Sequence, residues 1–255
     1  MNKGLFIVLI AVCLIFGGVS VFQLINYYSA DRAAEKDFAA LLPPMSFEDN
    51  SFSSSDGDWA LYDYLYAHYE GLRERNGDMV GWLSIPGTRI GYPVMQTKTS
   101  AEYYLSRNFE QEYSAAGSLF ASAISDVETP SDVVIVYGHR MKTGAMFGSL
   151  GDFLSKDFLL EHETVVFDTF AGRGLYKVYG VFTIDINDEA VGFAYYDYSE
   201  FASESEFNKF IEQVGTLAAV ENSAYLPVYG DKLLLLSTCE YSHEDGRLVV
   251  VAVKE

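Results

Sequence analysis

A lone thiol, four imidazoles and one guanidinium near the thiol set the chemical possibilities of this chain. Cys239 is the only cysteine outside an apolar N-terminal run that holds Cys13. A cysteine thiolate is a strong nucleophile once a neighbouring group manages its proton, and that group is usually histidine. His68, His139, His162 and His243 are available, and a Cys–His pair meets in space rather than along the chain. His139 follows Val133-Val-Ile-Val-Tyr137 and Gly138, a buried-strand pattern ended by a residue that lets the chain turn. His243 stands four residues after Cys239, in a polar loop with nothing evident to fix it. His139 is therefore the stronger partner and His243 the rival. Arg247 lies eight residues after Cys239. It cannot act as a base, because a guanidinium stays protonated. It suits holding a substrate or offsetting charge on a tetrahedral oxyanion. Its plainer alternative is an edge-strand arginine paired with Glu244 or Asp245.

The elements that must carry these groups are strands. Leu233 to Leu236 is a short apolar run and Arg247 to Val251 a second, rich in valine. Between them, residues 240–246 are polar apart from Tyr241 and end in glycine, a loop that returns the chain antiparallel. This predicts Cys239 at the end of one strand and Arg247 at the start of its neighbour. From residue 80 onward, apolar runs alternate with turn signals at 80–85, 90–95, 119–123, 133–137, 164–170, 176–186, 233–238 and 248–251. Eight such strands with short connections imply a mostly β fold with helical insertions, closed as a barrel. Residues 59–79 read as an amphipathic helix, with His68 a structural or surface residue of it. Short helical turns are expected near 101–105 and 147–153. Ser203-Glu-Ser-Glu206 is a capping-box pattern, followed by Phe207, Phe210, Ile211 and Val214 at helical spacing. That helix falls between the sixth and seventh strands.

Composition narrows the function further. The chain has 255 residues and a formal charge of −19, with Asp+Glu 36 against Lys+Arg 17, which argues against a nucleic-acid partner. With hydrophobic residues at 49% and aromatics at 15%, the chain is too apolar to be disordered. One cysteine in the domain leaves no internal disulfide there. Scattered histidines and a single domain cysteine give no zinc-type spacing, and Asp185, Asp188 and Glu189 read as a solvated loop. No metal and no cofactor are expected. Residues 4–22 carry Ser20 as their only polar side chain, and as a helix they roughly span a hydrocarbon core. The expectation is an uncleaved single-pass anchor, with a cleaved signal peptide as the alternative. The chain then divides into a membrane anchor at 1–28, a stalk or linker at 29–57 and a globular domain at 58–255. Leu42-Pro43-Pro44 ends the stalk helix, and Ser53-Ser-Ser-Asp-Gly57 has linker composition.

Several of these residues form a combined pattern. Tyr137-Gly-His139-Arg-Met141 with Met146-Phe147-Gly-Ser-Leu150, and Leu236-Ser-Thr238-Cys239 with Arg247, resemble the sortases. Gly81-Trp82-Leu-Ser-Ile-Pro86-Gly-Thr88 and Tyr92-Pro93-Val94-Met-Gln96 match early strands of the same family. The resemblance covers about residues 58 to 255. Leu235 replaces a threonine usual before the cysteine, which removes one hydroxyl from a buried strand. A helix between strands six and seven, with N-terminal helices, is similar to class B members. The resemblance implies an eight-stranded sortase-type β-barrel preceded by one transmembrane helix, sitting at the cell membrane with its catalytic domain extracellular. It implies Cys239 as nucleophile, His139 as proton donor and Arg247 as oxyanion or substrate partner. Ser237, Thr238 and Tyr241 are expected at the substrate groove, although Thr238 is as readily an ordinary strand residue. Met141, Met146 and Phe147 are expected to pack the His139 loop. The implied activity is cleavage of a C-terminal sorting motif after Thr through a thioester. Transfer then goes to an amine of a cell-wall precursor, with a pilin lysine as the alternative acceptor. The implied partners are a surface protein bearing the sorting signal and that amine. A hydrolytic cysteine peptidase, an L,D-transpeptidase-like cross-linker and a non-catalytic barrel that binds surface polymers are the other readings.

Overall fold

The computed structural model describes residues 12–13, 16–22, 28–29, 32, 35–42, 58–187, 192–240 and 246–255, with backbone alone at 58–63, 239 and 240. Among the described residues there are nine strands: β1 (Met79–Ser84), β2 (Gly91–Met95), β3 (Leu119–Ala121), β4 (Val133–Tyr137), β5 (Thr164–Thr169), β6 (Leu175–Asp185), β7 (Ala218–Glu221), β8 (Leu233–Glu240) and β9 (Gly246–Lys254). Their order is β5-β1-β2-β3-β4-β8-β9-β6-β7, and β5 also pairs with β6. That extra pairing closes an eight-stranded barrel, which removes the free edges an open sheet would leave. The eight expected strands are the eight barrel strands. β9 pairs along most of β6, from Tyr176 to Asp185. β5 and β7 therefore share the other edge of β6, at residues 175–177 and 180–182.

Continuous apolar runs in β4 and β8 are explained by burial on both faces. Leu234, Leu236, Val134, Val136, Leu248 and Val250 belong to the large core cluster. Leu233, Leu235, Val133, Ile135, Val249 and Val251 meet Phe207, Phe210, Ile211 and Val214 of the helix Glu204–Leu217. Each such leucine contributes roughly 1.5–3 kcal/mol by leaving water. The helix starts as its sequence implied: Ser203 Oγ accepts from the Glu206 N–H at 3.3 Å, and Glu206 Oε2 accepts from the Ala202 N–H. The helix Asp58–Arg75 packs on β1, with Tyr69 stacked on Trp82 at 5.3 Å. The expected turns near 101–105 and 147–153 are 3-10 helices, Tyr103–Ser106 and Gly148–Leu154.

The expected single-pass anchor, and with it the membrane localisation, is corrected. Among the described residues no helix is long and apolar enough to cross a membrane. Within the stretch expected as stalk, residues 35–42 pack on the barrel, burying Phe38 and Leu41. Phe38 meets the Tyr92 ring edge-on at 5.2 Å, and the Leu41 carbonyl accepts from His68 Nε2 at 2.9 Å. The Pro43–Pro44 and 43–57 linker features lie outside the described residues.

Candidate active site

Two strand pairings bring the sequence-selected groups to one end of the sheet. β8 and β9 are antiparallel, and their register sets Cys239 directly opposite Arg247. β4 and β8 are parallel, with Tyr137 paired to Ser237. The Gly138 N–H still reaches the Ser237 carbonyl at 3.2 Å. β8 runs two residues further to Cys239, whereas β4 ends at Tyr137 and His139 follows Gly138 in the turn beyond it. Positions 139 and 239 each stand two residues past the Tyr137–Ser237 pair, so both belong to the same end of the sheet. The thiol and guanidinium positions thus lie on β8 and β9, and the imidazole position on the turn that leaves β4.

The turn after β4 depends on Gly138. A Cβ there would lie 2.3 Å from Leu119 Cδ2 and 2.9 Å from Phe147 Cδ2. The Phe147 ring can seat under the His139 turn only against a residue without a side chain. Met146 and Phe147 are fully buried and Met141 nearly so, which accords with their expected packing role. The Phe147 N–H returns to the His139 carbonyl at 3.0 Å.

His139 is half-buried, and its Nε2 lies 2.8 Å from the Leu105 carbonyl. A carbonyl oxygen only accepts, so Nε2 carries a proton and Nδ1 is the nitrogen left for proton exchange. This acceptor was invisible in the sequence, because a backbone carbonyl has no residue-type signature. Arg247 is partly buried and donates from Nη1 to the Gly246 carbonyl at 3.0 Å. The Tyr137 phenol is held well above its ordinary range, mainly by burial, with Tyr195 raising it further and the Arg247 charge partly opposing. Tyr137 thus feels both Tyr195 and Arg247. Neither tyrosine was assigned a role from sequence; Tyr137 was quoted only as part of the motif.

The expected groove residues fall differently. Ser237 is buried, and its hydroxyl is 2.8 Å from Tyr195 Oη. Thr238 is also buried, its Oγ1 without a hydrogen-bond partner among the described residues. Tyr241, the rival base His243, and the alternative arginine partners Glu244 and Asp245 lie outside the described residues, as do Asp188 and Glu189. Among the described residues no cluster of ligating side chains is arranged to hold a metal. His68 and His162 serve the fold: His68 meets the Leu41 carbonyl, and His162 Nδ1 meets the Pro86 carbonyl at 3.0 Å.

Comparison with known proteins converges on one family. The family model described as "Sortase domain" matches residues 83–255. A sortase B of Listeria monocytogenes is 34% identical over 182 residues, covering 70% of each chain. A sortase B of Staphylococcus aureus is 26% identical over 248 residues, covering 96% of this chain and 93% of the relative. The structure of a Staphylococcus aureus sortase B–substrate complex superposes with a TM-score of 0.68 at 27% identity, covering 78% of this chain and 90% of that one.

Proposed function

The chain belongs to the sortase family of cysteine transpeptidases, most like its class B members, and from that premise we propose how it works and on what. Cys239 is the nucleophile, His139 the proton carrier and Arg247 the partner of the developing oxyanion. The observation that carries this assignment is the double register: Tyr137 with Ser237 in parallel, and Cys239 with Arg247 in antiparallel.

The substrate is a protein with a C-terminal sorting motif containing Thr, of the Asn-Pro-x-Thr-Asn type. The Cys239 thiol gives its proton to His139 Nδ1, and the thiolate sulfur adds to the Thr carbonyl carbon, forming a C–S bond and placing negative charge on the oxygen. The Arg247 guanidinium offsets that charge at little reorganisation cost. The C–N bond then breaks, and the leaving amine takes the proton from His139 Nδ1, since Nε2 is committed to Leu105. An amine of a cell-wall precursor adds to the resulting thioester and gives its proton to His139. The thiolate departs and an amide remains. Ser237 and Thr238 lie beneath this site as supports, given their burial.

The test incubates the purified full chain with quenched peptides carrying Asn-Pro-Gln-Thr-Asn or Leu-Pro-x-Thr-Gly, with and without triglycine, and identifies products by mass spectrometry. Cleavage after Thr, a ligated product, and loss of both in Cys239→Ala are expected. Free acid alone, even at high amine, would instead identify a hydrolytic peptidase.

A further inference from the structure

The supports of His139 converge on two consecutive residues near the N-terminus. On one side stands the Leu105 carbonyl, presented by the segment 103–118. That segment is folded on itself: the Ser118 N–H donates to the Tyr104 carbonyl at 2.9 Å, Ser118 Oγ to the Arg107 carbonyl at 2.9 Å, and the Glu112 N–H to Asn108 Oδ1 at 2.9 Å. Asn108 is buried, and its Nδ2 donates to Asp37 Oδ2 at 3.2 Å. On the other side stands the loop after His139, whose Phe147 N–H holds the His139 carbonyl. Met146, the preceding residue, is left-handed at φ 52°, a conformation uncommon for a side chain of its kind. Its N–H donates to Tyr92 Oη at 3.2 Å, and the Tyr92 ring is capped edge-on by Phe38.

Asp37 and Phe38 therefore reach both supports of the imidazole from one short helix. We propose that residues 35–42 form a positioning element for His139, acting through Asn108 on the Leu105 carbonyl and through Tyr92 on the Met146 turn. Tyr92 and Asn108 are positioning residues, since neither touches the reacting atoms. The Arg89 Nη1 bond to the Thr143 carbonyl at 3.2 Å, and the Arg89–Glu35 contact at 3.7 Å, run parallel to this route. Both are exposed and add little. Because a displacement of an ångström in a catalytic group costs up to about a hundredfold in rate, the element matters despite lying outside the barrel.

The proposal rests on His139 being the proton carrier, and its test reads the imidazole with and without substrate. In 15N-labelled full chain, the His139 Nε2–H is expected as an exchange-protected resonance with the ring in the Nε2–H tautomer. Tyr92→Phe keeps the ring against Phe38 but removes the acceptor of the Met146 N–H. It is expected to weaken that protection and to lower kcat roughly tenfold, with KM within about twofold of the parent. Asp37→Ala is expected to act similarly through Leu105, and Asp37→Asn, which keeps an oxygen for Asn108 to donate to, to restore most of the loss. Variants that fold, retain the protected resonance and keep the parental kcat would overturn the proposal. If the parent shows the protected resonance, and its loss in the variants, but no turnover of any peptide, the activity fails and the positioning stands.

Discussion

The thiol and guanidinium positions are set by a ladder, whereas the imidazole is set by loops. Cys239 and Arg247 face each other at the end of a register running through eight consecutive pairs from Leu233↔Val253 to Glu240↔Gly246. That ladder is buried on both faces by two clusters. His139 stands two residues beyond β4, held by one carbonyl, one returning N–H and the packing of Phe147 against Gly138. The difference teaches where each group is vulnerable. A ladder shares its strain over many bonds and moves only when the sheet does. A loop-borne side chain shifts when a single contact is lost. Substitutions in the sheet should therefore cost stability, and substitutions around His139 should cost turnover.

The largest effect should come from the chemistry itself. Cys239→Ala is expected to lower turnover by at least about a thousandfold, because no other nucleophile replaces the thiolate. Arg247→Lys keeps the charge but loses the planar fork, and should cost on the order of a hundredfold in kcat. Thermal unfolding of both variants should stay close to that of the parent. A large fall in melting temperature for Arg247→Lys would mean that the ladder depends on this side chain, and would blur the comparison.

Next in size is a cavity in the ladder. Leu236 is fully buried two residues before Thr238, and Leu236→Ala should destabilise the fold by about 2–5 kcal/mol. Turnover by the folded fraction, measured well below the melting transition, should change by less than about threefold. A hundredfold loss there would show that the ladder transmits small shifts to Cys239 and is less rigid than its register implies.

The strands, their order of appearance and the helix Glu204–Leu217 were legible in the sequence because burial on both faces demands runs such as Val133–Tyr137 and Leu233–Leu236. β7 was not, since Val220 is its only buried residue and a four-residue strand leaves no pattern to read. The short helix Lys156–Glu161, with Leu159 as its one buried residue, was missed for the same reason. Residue identity and strand ends marked Cys239, His139 and Arg247 because side-chain chemistry is written in residue types. The Leu105 carbonyl is a backbone atom, and Tyr195 reaches Ser237 from a distant 3-10 turn; neither leaves a local signal. The docking of Phe38 and Leu41 was hidden because two apolar residues in a short helix fit a stalk as well as a contact.

A third effect lies on the far side of the barrel, where Asp168 on β5 pairs with Trp82 on β1. Burial raises the Asp168 carboxyl from 3.8 to about 6, against the opposing pull of Arg173 and the Gly174 N–H. Asp168 Oδ1 and Trp82 Nε1 have no hydrogen-bond partner among the described residues. A raised carboxyl pKa means that the folded state binds the proton more tightly than the unfolded chain. Its favourable contribution is full below pH 3.8 and is lost as pH rises through about 6. Asp168→Asn should therefore raise stability at pH 8 by on the order of 1–3 kcal/mol relative to the parent. It should give little gain at pH 4. Denaturant titrations at the two pH values measure this, and an equal gain at both would place the effect in packing rather than ionisation. Turnover should not follow, because Asp168 contacts neither the ladder end nor the His139 supports.

The smallest effect tests a side-chain bond that joins a 3-10 turn to the ladder beside Cys239. Tyr195 Oη and Ser237 Oγ are 2.8 Å apart, and both residues are nearly inaccessible. Ser237→Ala leaves the phenol with one partner fewer in a buried place, a loss of about 1–2 kcal/mol. If the ladder alone places Cys239, kcat for the variant stays within about twofold of the parent while the denaturation midpoint falls. The β8–β9 register does not use the Ser237 hydroxyl, and the Gly138 N–H bonds to the Ser237 carbonyl, which alanine keeps. A fall in kcat of tenfold or more would instead make the segment around Tyr195 a second support of the site, and the nucleophile would then share the dependence on loops that distinguishes the imidazole.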